Sequence, residues 1–265
     1  MENKMKFQEK EFYGFEDLLK IMELLRAPDG CPWDREQDHK SIRNDFIEET
    51  YEAIEAIDTD NKELLREELG DVLLQVVFHS RISEEAGDFS IKEVVDEICK
   101  KLIIRHPHVF GDVVADTSDK VKKNWDAIKK AGKKQTTQKE VMDSISVALP
   151  SLIRAHKIGK KAAKVGFDFA GTDDAMLKVR EETEEVSRAI AEKNGDNIKE
   201  EIGDLLFAVV NLARKAGVDS EEALYNANNK FITRFGKVES LAAERNIEMC
   251  AENMEKLDEI WDEIK

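Results

Sequence analysis

A run of acidic residues occurs twice in this chain, and the two copies are a constant distance apart. The first copy is Glu48-Glu49-Thr50-Tyr51-Glu52 followed by Glu68-Leu69-Gly70-Asp71. The second copy is Glu181-Glu182-Thr183-Glu184-Glu185 followed by Glu201-Ile202-Gly203-Asp204, and each shared acid is displaced by 133 positions. Residues 47–81 and 180–214 align without a gap and share 15 of 35 residues. This level of identity predicts a duplication, and therefore two similar halves.

The spacing of the acids predicts that they meet. Glu49 and Glu52 are three positions apart, as are Glu68 and Asp71, so each pair lies on one face of a helix. Two such helices packed face to face bring four carboxylates together. Gly70 and Gly203 accompany the acids although glycine in a helix costs about 1 kcal/mol relative to alanine, so we expect close helix packing there.

The composition favours an all-α fold. Charged residues make up 37% of the chain and aromatic residues 7%, with only 4 prolines, which is typical of amphipathic helices rather than strands. The pattern predicts helices over about 41–57 and 62–86, the second closed by Gly87, and a helix from a capping box at Ser90 to about Arg105. In the second half, the counterpart of the helix that begins at Ser90 runs from about residue 220 to residue 234. We predict an N-terminal repeat over 15–130, a linker over 131–142 and a C-terminal repeat over 143–265.

Charge, hydropathy and cysteine usage limit the partners. The net charge of −16 argues against a general nucleic-acid binder, which needs clustered lysines and arginines. No apolar stretch is long enough for a membrane span, and the charged N-terminus does not resemble a secretory signal. Cys31, Cys99 and Cys250 are odd in number and widely spaced, which predicts a cytoplasmic protein.

Two further features recur in both halves. Lys101 and Arg105 align with Lys230 and Arg234; these pairs are candidates to bind phosphate, or they are cations favoured at helix C-termini. Trp125 and Trp261 close the two halves in matching Trp-Asp-x-Ile-Lys sequences. Each tryptophan could stack on a nucleobase, and a role in the core or in a dimer contact is an equal alternative.

Carboxylate oxygens alone indicate a hard cation, so we expect Mg²⁺ or Mn²⁺ rather than zinc. With the basic pairs opposite the acids, the group that fits between them is a polyphosphate. The motifs contain no catalytic Ser-His-Asp arrangement and no Walker-type glycine loop. Direct attack by water on phosphorus is the simplest mechanism that these residues allow.

These residues resemble the MazG family of nucleoside triphosphate pyrophosphohydrolases. The resemblance rests on the doubled acid motif, on Cys31-Pro32-Trp33-Asp34 with Gln37 and His39, and on the run 105–110, and it covers residues 15–265. It implies tandem all-α helical bundle repeats that form a homodimer. It also implies Mg²⁺-dependent hydrolysis of ribo- and deoxyribonucleoside triphosphates to monophosphate and pyrophosphate, with broad specificity, in nucleotide-pool house-cleaning or the stress response.

The resemblance also implies roles for individual residues. The expected metal ligands are Glu182, Glu185, Glu201 and Asp204 in the second half and Glu49, Glu52, Glu68 and Asp71 in the first. Glu181 and Glu48 would bind a further metal or orient the water. The residues expected to contact phosphates are Lys230, Arg234, Lys101 and Arg105, and those expected to contact the base are Trp261 and Trp125.

Two positions depart from the family pattern, and the two halves are expected to differ. Asp38 stands where the family usually has threonine, and Phe169 where it usually has tryptophan. The second departure bears on base contact in the second half. The resemblance implies that the C-terminal half is the dependable catalyst, and we expect the N-terminal half at least to bind metal.

Other classes of protein share some of these features. Prenyl-diphosphate synthases also bind diphosphate through helical acids and Mg²⁺, but they use aspartate-rich clusters and an apolar channel. A di-iron bundle needs Glu-x-x-His on two helices, and Glu36 with His39 is a single match. The remaining alternative is a non-catalytic acidic helical protein that binds nucleotide or metal and has a regulatory role.

Overall fold

The computed structural model describes residues 9–121, 124, 125, 128 and 137–265, and these residues form helices and no strand. The all-α prediction is therefore confirmed. The chain forms two compact units, Met1–Lys133 and Lys134–Lys265. The boundary falls inside the segment assigned to the linker, of which residues 131–136 lie outside the described part. In the described ranges no helix combines the length and the apolar character needed to cross a membrane.

The first unit is built around its longest helix, which carries half of the acid motif. Helix α4 packs against α1, α3 and α5, and a core of Met22, Ile42, Val77 and Phe78 lies among these elements. The bounds of α4 are those predicted, and Gly87 ends it in the left-handed conformation with a φ of 80°. The helices are α1 Phe15–Leu25, α2 Pro32–Glu36, α3 Arg43–Asp58, α4 Lys62–Ala86, α5 Ile91–Arg105 and α6 Pro107–Phe110.

The second unit repeats this plan with additions. Helix α10 packs against α8 and α9, and a second core forms where α11 meets α12. The helix predicted to end near Arg234 continues to Glu244, and α7 begins within the segment assigned to the linker. The helices are α7 Gln138–Asp143, α8 Ser151–Ala163, α9 Thr172–Glu192, α10 Gly195–Lys215, α11 Ser220–Glu244 and α12 Met254–Glu263, with a 3₁₀ turn at Ala251–Asn253.

The turn between the two acid-bearing helices has the same backbone in both units. Asn61 accepts a hydrogen bond from the backbone N–H of Leu64, and Asn194 accepts one from Asn197, so each caps the second helix. The preceding residues, Asp60 and Lys193, both have a positive φ, at 50° and 55°. The duplication therefore extends to the connection that sets how each helix pair is aligned.

Gly70 and Gly203 do not lie at close helix contacts within their units, so the prediction of close packing there is wrong. A Cβ built on either residue meets no neighbouring atom within 4 Å, so neither glycine permits a close helix contact within its unit. Gly159 on α8 does lie at a close contact between helices, because a Cβ there would be 2.4 Å from Asn211 Oδ1 and 2.9 Å from Arg214 Nε. Helices α8 and α10 approach closely at this point because no side chain separates them.

Alanine substitutions at these glycines should therefore have opposite effects. Gly159→Ala is expected to lower the free energy of unfolding by about 1–3 kcal/mol, the usual cost of overpacking. Gly70→Ala should raise it by about 1 kcal/mol, because alanine has the higher helix propensity. Urea unfolding followed by circular dichroism measures both. A loss of stability in Gly70→Ala would mean that this residue packs against a surface outside its own unit.

Candidate active site

The second unit brings three of its predicted acids into one cluster. Glu182 on α9 and Glu201 and Asp204 on α10 each place a carboxylate oxygen within 4.8 Å of the other two. Glu185 lies one helical turn after Glu182, and its charge acts on Glu201. Packing of α9 against α10 thus brings together three of the four carboxylates that the spacing predicts to meet, while Glu185 pairs with Arg188 at 3.1 Å.

The first unit forms the corresponding cluster from α3 and α4. Glu49, Glu68 and Asp71 place carboxylate oxygens within 4.8 Å of one another. Glu52 is close enough to act on Glu68 both as a charge and as a hydrogen-bond partner. Glu48, by contrast, is exposed and acts on Glu49 as a neighbouring charge.

Burial and repulsion between carboxylates raise the pKa of Glu201 in the second cluster and of Glu49 and Glu68 in the first. Burial is the main cause at Glu201, followed by the charges of Glu185, Glu182 and Asp204. Burial also raises the pKa of Glu68, with help from Glu52, Asp71 and Glu49. A bound divalent cation would remove this repulsion, and oxygen-only clusters of this kind suit Mg²⁺ or Mn²⁺. The donor set therefore fits a divalent metal in both units.

Glu182 is the most constrained of these acids. Its side chain is buried, with 4% exposed, and its Oε2 atom has no hydrogen-bond partner. Its other oxygen lies 2.5 Å from Lys178 Nζ, which also contacts Glu181 at 2.9 Å. Hydrogen bonds to these two glutamates raise the pKa of Lys178 well above its usual range. The free Oε2 is thus the atom of Glu182 available to a cation.

The two clusters differ in charge at one aligned position. Lys178 corresponds to Asp45 in the first repeat. Asp45 adds to the negative charges that raise the pKa of Glu49, after burial and the nearer acids. The second cluster therefore contains a cation where the first contains a further acid. The acid motif, identical in the two halves, did not predict this difference.

A large cavity adjoins the second cluster. Its volume is about 960 Å³, and Lys178, Glu182 and Asp204 line it together with Arg154. The volume is within the range of small-molecule sites, and apolar walls beside a few polar groups are their usual composition. The apolar part of its wall includes Ile145, Ile158, Phe167, Phe169 and Phe207.

A network of ion pairs holds the loop between α8 and α9 at the edge of this cavity. Asp168 forms a bidentate pair with Arg214, and Lys215 contacts Asp168 at 3.2 Å and donates to the Phe169 carbonyl at 2.8 Å. The hydrogen bonds from Arg214 lower the pKa of Asp168 to about 2. This places Phe169, the residue that departs from the family pattern, in the cavity wall.

Sequence reasoning missed most of this wall. Asn211 is buried beside the cavity, where its Oδ1 accepts a hydrogen bond from Arg214 Nε. The aligned residue of the first repeat is Phe78, which is part of the apolar core. The signal was present in the alignment, because a polar residue replaces a core aromatic at a position that the helix buries.

The predicted substrate-binding residues are not paired with the acids in the described part of either unit. In the part of the chain that the structure describes, no ion pair joins Lys101, Arg105, Lys230 or Arg234 to a clustered acid. Trp261 packs against the core of α11 and α12, with its ring 5.3 Å from Phe231. Trp125 lies edge-on to His106 at 5.2 Å.

The fold and the site define a class of tandem all-α proteins with a candidate metal cluster in each repeat. The model of the MazG nucleotide pyrophosphohydrolase domain matches residues 37–110 and 171–238, which together make up more than half of the chain and contain every clustered acid. The chain belongs to the MazG family.

Relatives match over nearly the full length. The chain is 44% identical over 253 residues to the nucleoside triphosphate pyrophosphohydrolase/pyrophosphatase MazG of Thermotoga maritima, covering 95% of each protein. It is also 44% identical to the nucleoside triphosphate pyrophosphohydrolase of Escherichia coli K12, over 94% of this chain and 95% of that protein. A Bacillus subtilis protein, YabN, is 43% identical over 96% of this chain and 52% of its own length.

Proposed function

We propose that this chain hydrolyses nucleoside triphosphates to the monophosphate and pyrophosphate, and that the second unit carries out the reaction. The observation that carries the proposal is the 960 Å³ cavity that shares Glu182 and Asp204 with the acid cluster. Polyphosphate held at the acids with the nucleoside in the cavity fits this arrangement. The names of the full-length relatives support the same reaction.

We propose Mg²⁺, or Mn²⁺ in its place, as the cofactor, with Glu182, Glu185, Glu201 and Asp204 as ligands. When bound, the ion supplies positive charge against the triphosphate and lowers the pKa of the attacking water. Lys178 then holds Glu182 in place and faces the polyphosphate, and Glu181, which Lys178 also contacts, orients the water. Water adds to phosphorus as the bond between the α- and β-phosphates breaks.

The cavity wall is proposed to bind the nucleoside. Apolar side chains, among them Phe169 and Phe207, provide flat surfaces for a base and exclude water. Apolar contacts of this kind do not distinguish strongly between bases, which is consistent with the broad specificity and the role in house-cleaning or stress response that we propose.

The first unit is proposed to bind metal without being the main catalyst. Glu49, Glu52, Glu68 and Asp71 form its ligand set, and Glu48 is an outer acid. Phe78 fills the position of Asn211 in the first unit.

Two sets of predicted substrate contacts stay proposals. The phosphate contacts are Lys230, Arg234, Lys101 and Arg105, and the base contacts are Trp261 and Trp125. A homodimer also stays a proposal, supported by exposed apolar side chains on α5 and α11, such as Ile103, Phe231 and Ile232 at 50%, 56% and 66% exposure. Three free cysteines support a cytoplasmic location.

Product analysis tests the reaction. The protein, incubated with a panel of ribo- and deoxyribonucleoside triphosphates and Mg²⁺, should release pyrophosphate and the matching monophosphate in equal amounts. Chelation of the metal should stop release, because the repelling carboxylates cannot hold the triphosphate without it. Orthophosphate as the sole product would contradict cleavage between the α- and β-phosphates. Tight nucleotide binding without any product would favour the regulatory alternative.

A further inference from the structure

Among the described residues, one arginine beside the cavity is without a side-chain partner. Arg154 lies on α8, its Nε atom is buried, and the guanidinium forms no hydrogen bond or ion pair with any residue that the structure describes. Arginine stays charged in proteins and has five donors, so a buried and unpaired donor is costly. Two other arginines with mostly buried side chains have acid partners: Arg214 pairs with Asp168, and Arg26 with Glu85.

The same cavity has an unpaired acceptor. Arg154 and Glu182 both line it, and Glu182 Oε2 is buried without a hydrogen-bond partner. The two side chains form no ion pair with each other, and the other oxygen of Glu182 contacts Lys178. The cavity thus contains one unsatisfied donor and one unsatisfied acceptor. A cation at the acids would satisfy Glu182, which leaves Arg154 in need of an oxygen or nitrogen acceptor.

The first repeat shows that a role in folding alone does not require this arrangement. Arg154 aligns with Lys20, in matching runs of Leu152-Ile153-Arg154 and Leu18-Leu19-Lys20. Lys20 is 51% exposed and contacts Glu23 at 2.9 Å. A cation at this helical position is therefore satisfied by a local surface acid in the first unit, whereas in the second unit it faces the cavity unpaired.

We propose that Arg154 binds the substrate by donating hydrogen bonds to an oxygen acceptor of the bound nucleotide. The inference rests on the proposed function, because it takes the cavity as the nucleotide site. Two groups of the substrate offer this chemistry: a phosphate oxygen, and a keto oxygen on the base edge, which guanine and uracil have at the position where adenine and cytosine have an amino group. Arg154 would be a specificity-determining residue in the second case.

The test compares Arg154→Met with the unaltered protein on GTP, UTP, ATP and CTP. KM is expected to rise about ten- to one-hundred-fold, the usual value of a hydrogen bond to a charged group, with a smaller change in kcat. A rise of similar size for all four substrates assigns the contact to phosphate. A larger rise for GTP and UTP assigns it to the base. Unchanged KM and kcat for all four substrates would overturn the proposal.

Controls separate binding from folding and from the reaction itself. Lys20→Met changes the aligned cation of the first repeat and should leave KM unchanged. Arg154→Lys keeps the charge but not the planar fork, so it should restore part of the affinity and provides a second variant if Arg154→Met unfolds. The unaltered protein must release pyrophosphate in the same assay; if it does not, the proposed function fails. Equilibrium dialysis with nucleotide then tests Arg154 separately, and equal binding by the Met variant would overturn its role.

Discussion

Replacing Glu201 by glutamine is expected to reduce pyrophosphate release by about 10³-fold while leaving the protein folded. The cluster of Glu182, Glu201 and Asp204 loses one of its three converging carboxylates. Removing one preorganised group that stabilises charge typically lowers kcat by two to three orders of magnitude. A 10³-fold loss corresponds to about 4 kcal/mol of transition-state stabilisation. Steady-state pyrophosphate release with saturating Mg²⁺ measures the loss.

The raised pKa of Glu201 makes this variant informative. A carboxyl whose pKa is higher in the folded protein than in the unfolded chain destabilises the fold at pH values above its ordinary pKa of 4.5. Glutamine removes that repulsion, so the metal-free variant should unfold at the same temperature as the unaltered protein or a higher one. Loss of activity then cannot be attributed to unfolding.

The aligned variant of the first unit is the matched control. Glu68 has the aligned acids of the first unit as neighbours, and its pKa is also raised. Glu68→Gln should therefore stabilise the metal-free protein in the same way. We expect it to leave pyrophosphate release essentially unchanged. If Glu68→Gln abolished turnover and Glu201→Gln did not, the first unit would be the catalyst.

Much of the fold was predictable because the duplication constrains it twice. The acids lie on facing helices because their spacing matches one helical face, and α4 has the predicted bounds because Gly87 closes it. The Asn61 and Asn194 caps repeat because the same turn must align the same helix pair. Local signals of this kind depend on a few neighbouring residues, so they can be read without tertiary structure.

The features that distinguish the halves depend on contacts between distant residues. A pattern of acids does not reveal that Asn211 borders a cavity while Phe78 fills a core. The same limitation explains the error about Gly70 and Gly203: a costly helical glycine indicates a close contact, but its partner must come from another element. Gly159 makes such a contact with α10, and its sequence neighbourhood does not indicate it.

Replacing Lys178 by methionine is expected to reduce kcat/KM by about ten- to one-hundred-fold and to make stability depend on metal. Lys178 is the cation that contacts buried Glu182, and hydrogen bonds to charged groups contribute about 1.5–3 kcal/mol. Breaking a fully buried pair costs about 3–5 kcal/mol. Because 38% of the lysine side chain is exposed, solvent screening should reduce this to about 1–2 kcal/mol.

Thermal unfolding with and without Mg²⁺ distinguishes this effect from simple destabilisation. Without metal, Lys178→Met leaves the Glu182 carboxylate buried without a counter-charge, so the melting temperature should fall; with Mg²⁺ most of the loss should be recovered, because the ion takes the place of the ammonium group. Asp45→Asn, at the aligned position, should have the opposite effect, since Asp45 raises the pKa of Glu49 and its removal relieves repulsion. A Lys178→Met variant with full activity would contradict the proposed role of Lys178 at the polyphosphate. One whose stability Mg²⁺ does not restore would contradict Glu182 as a ligand of the metal.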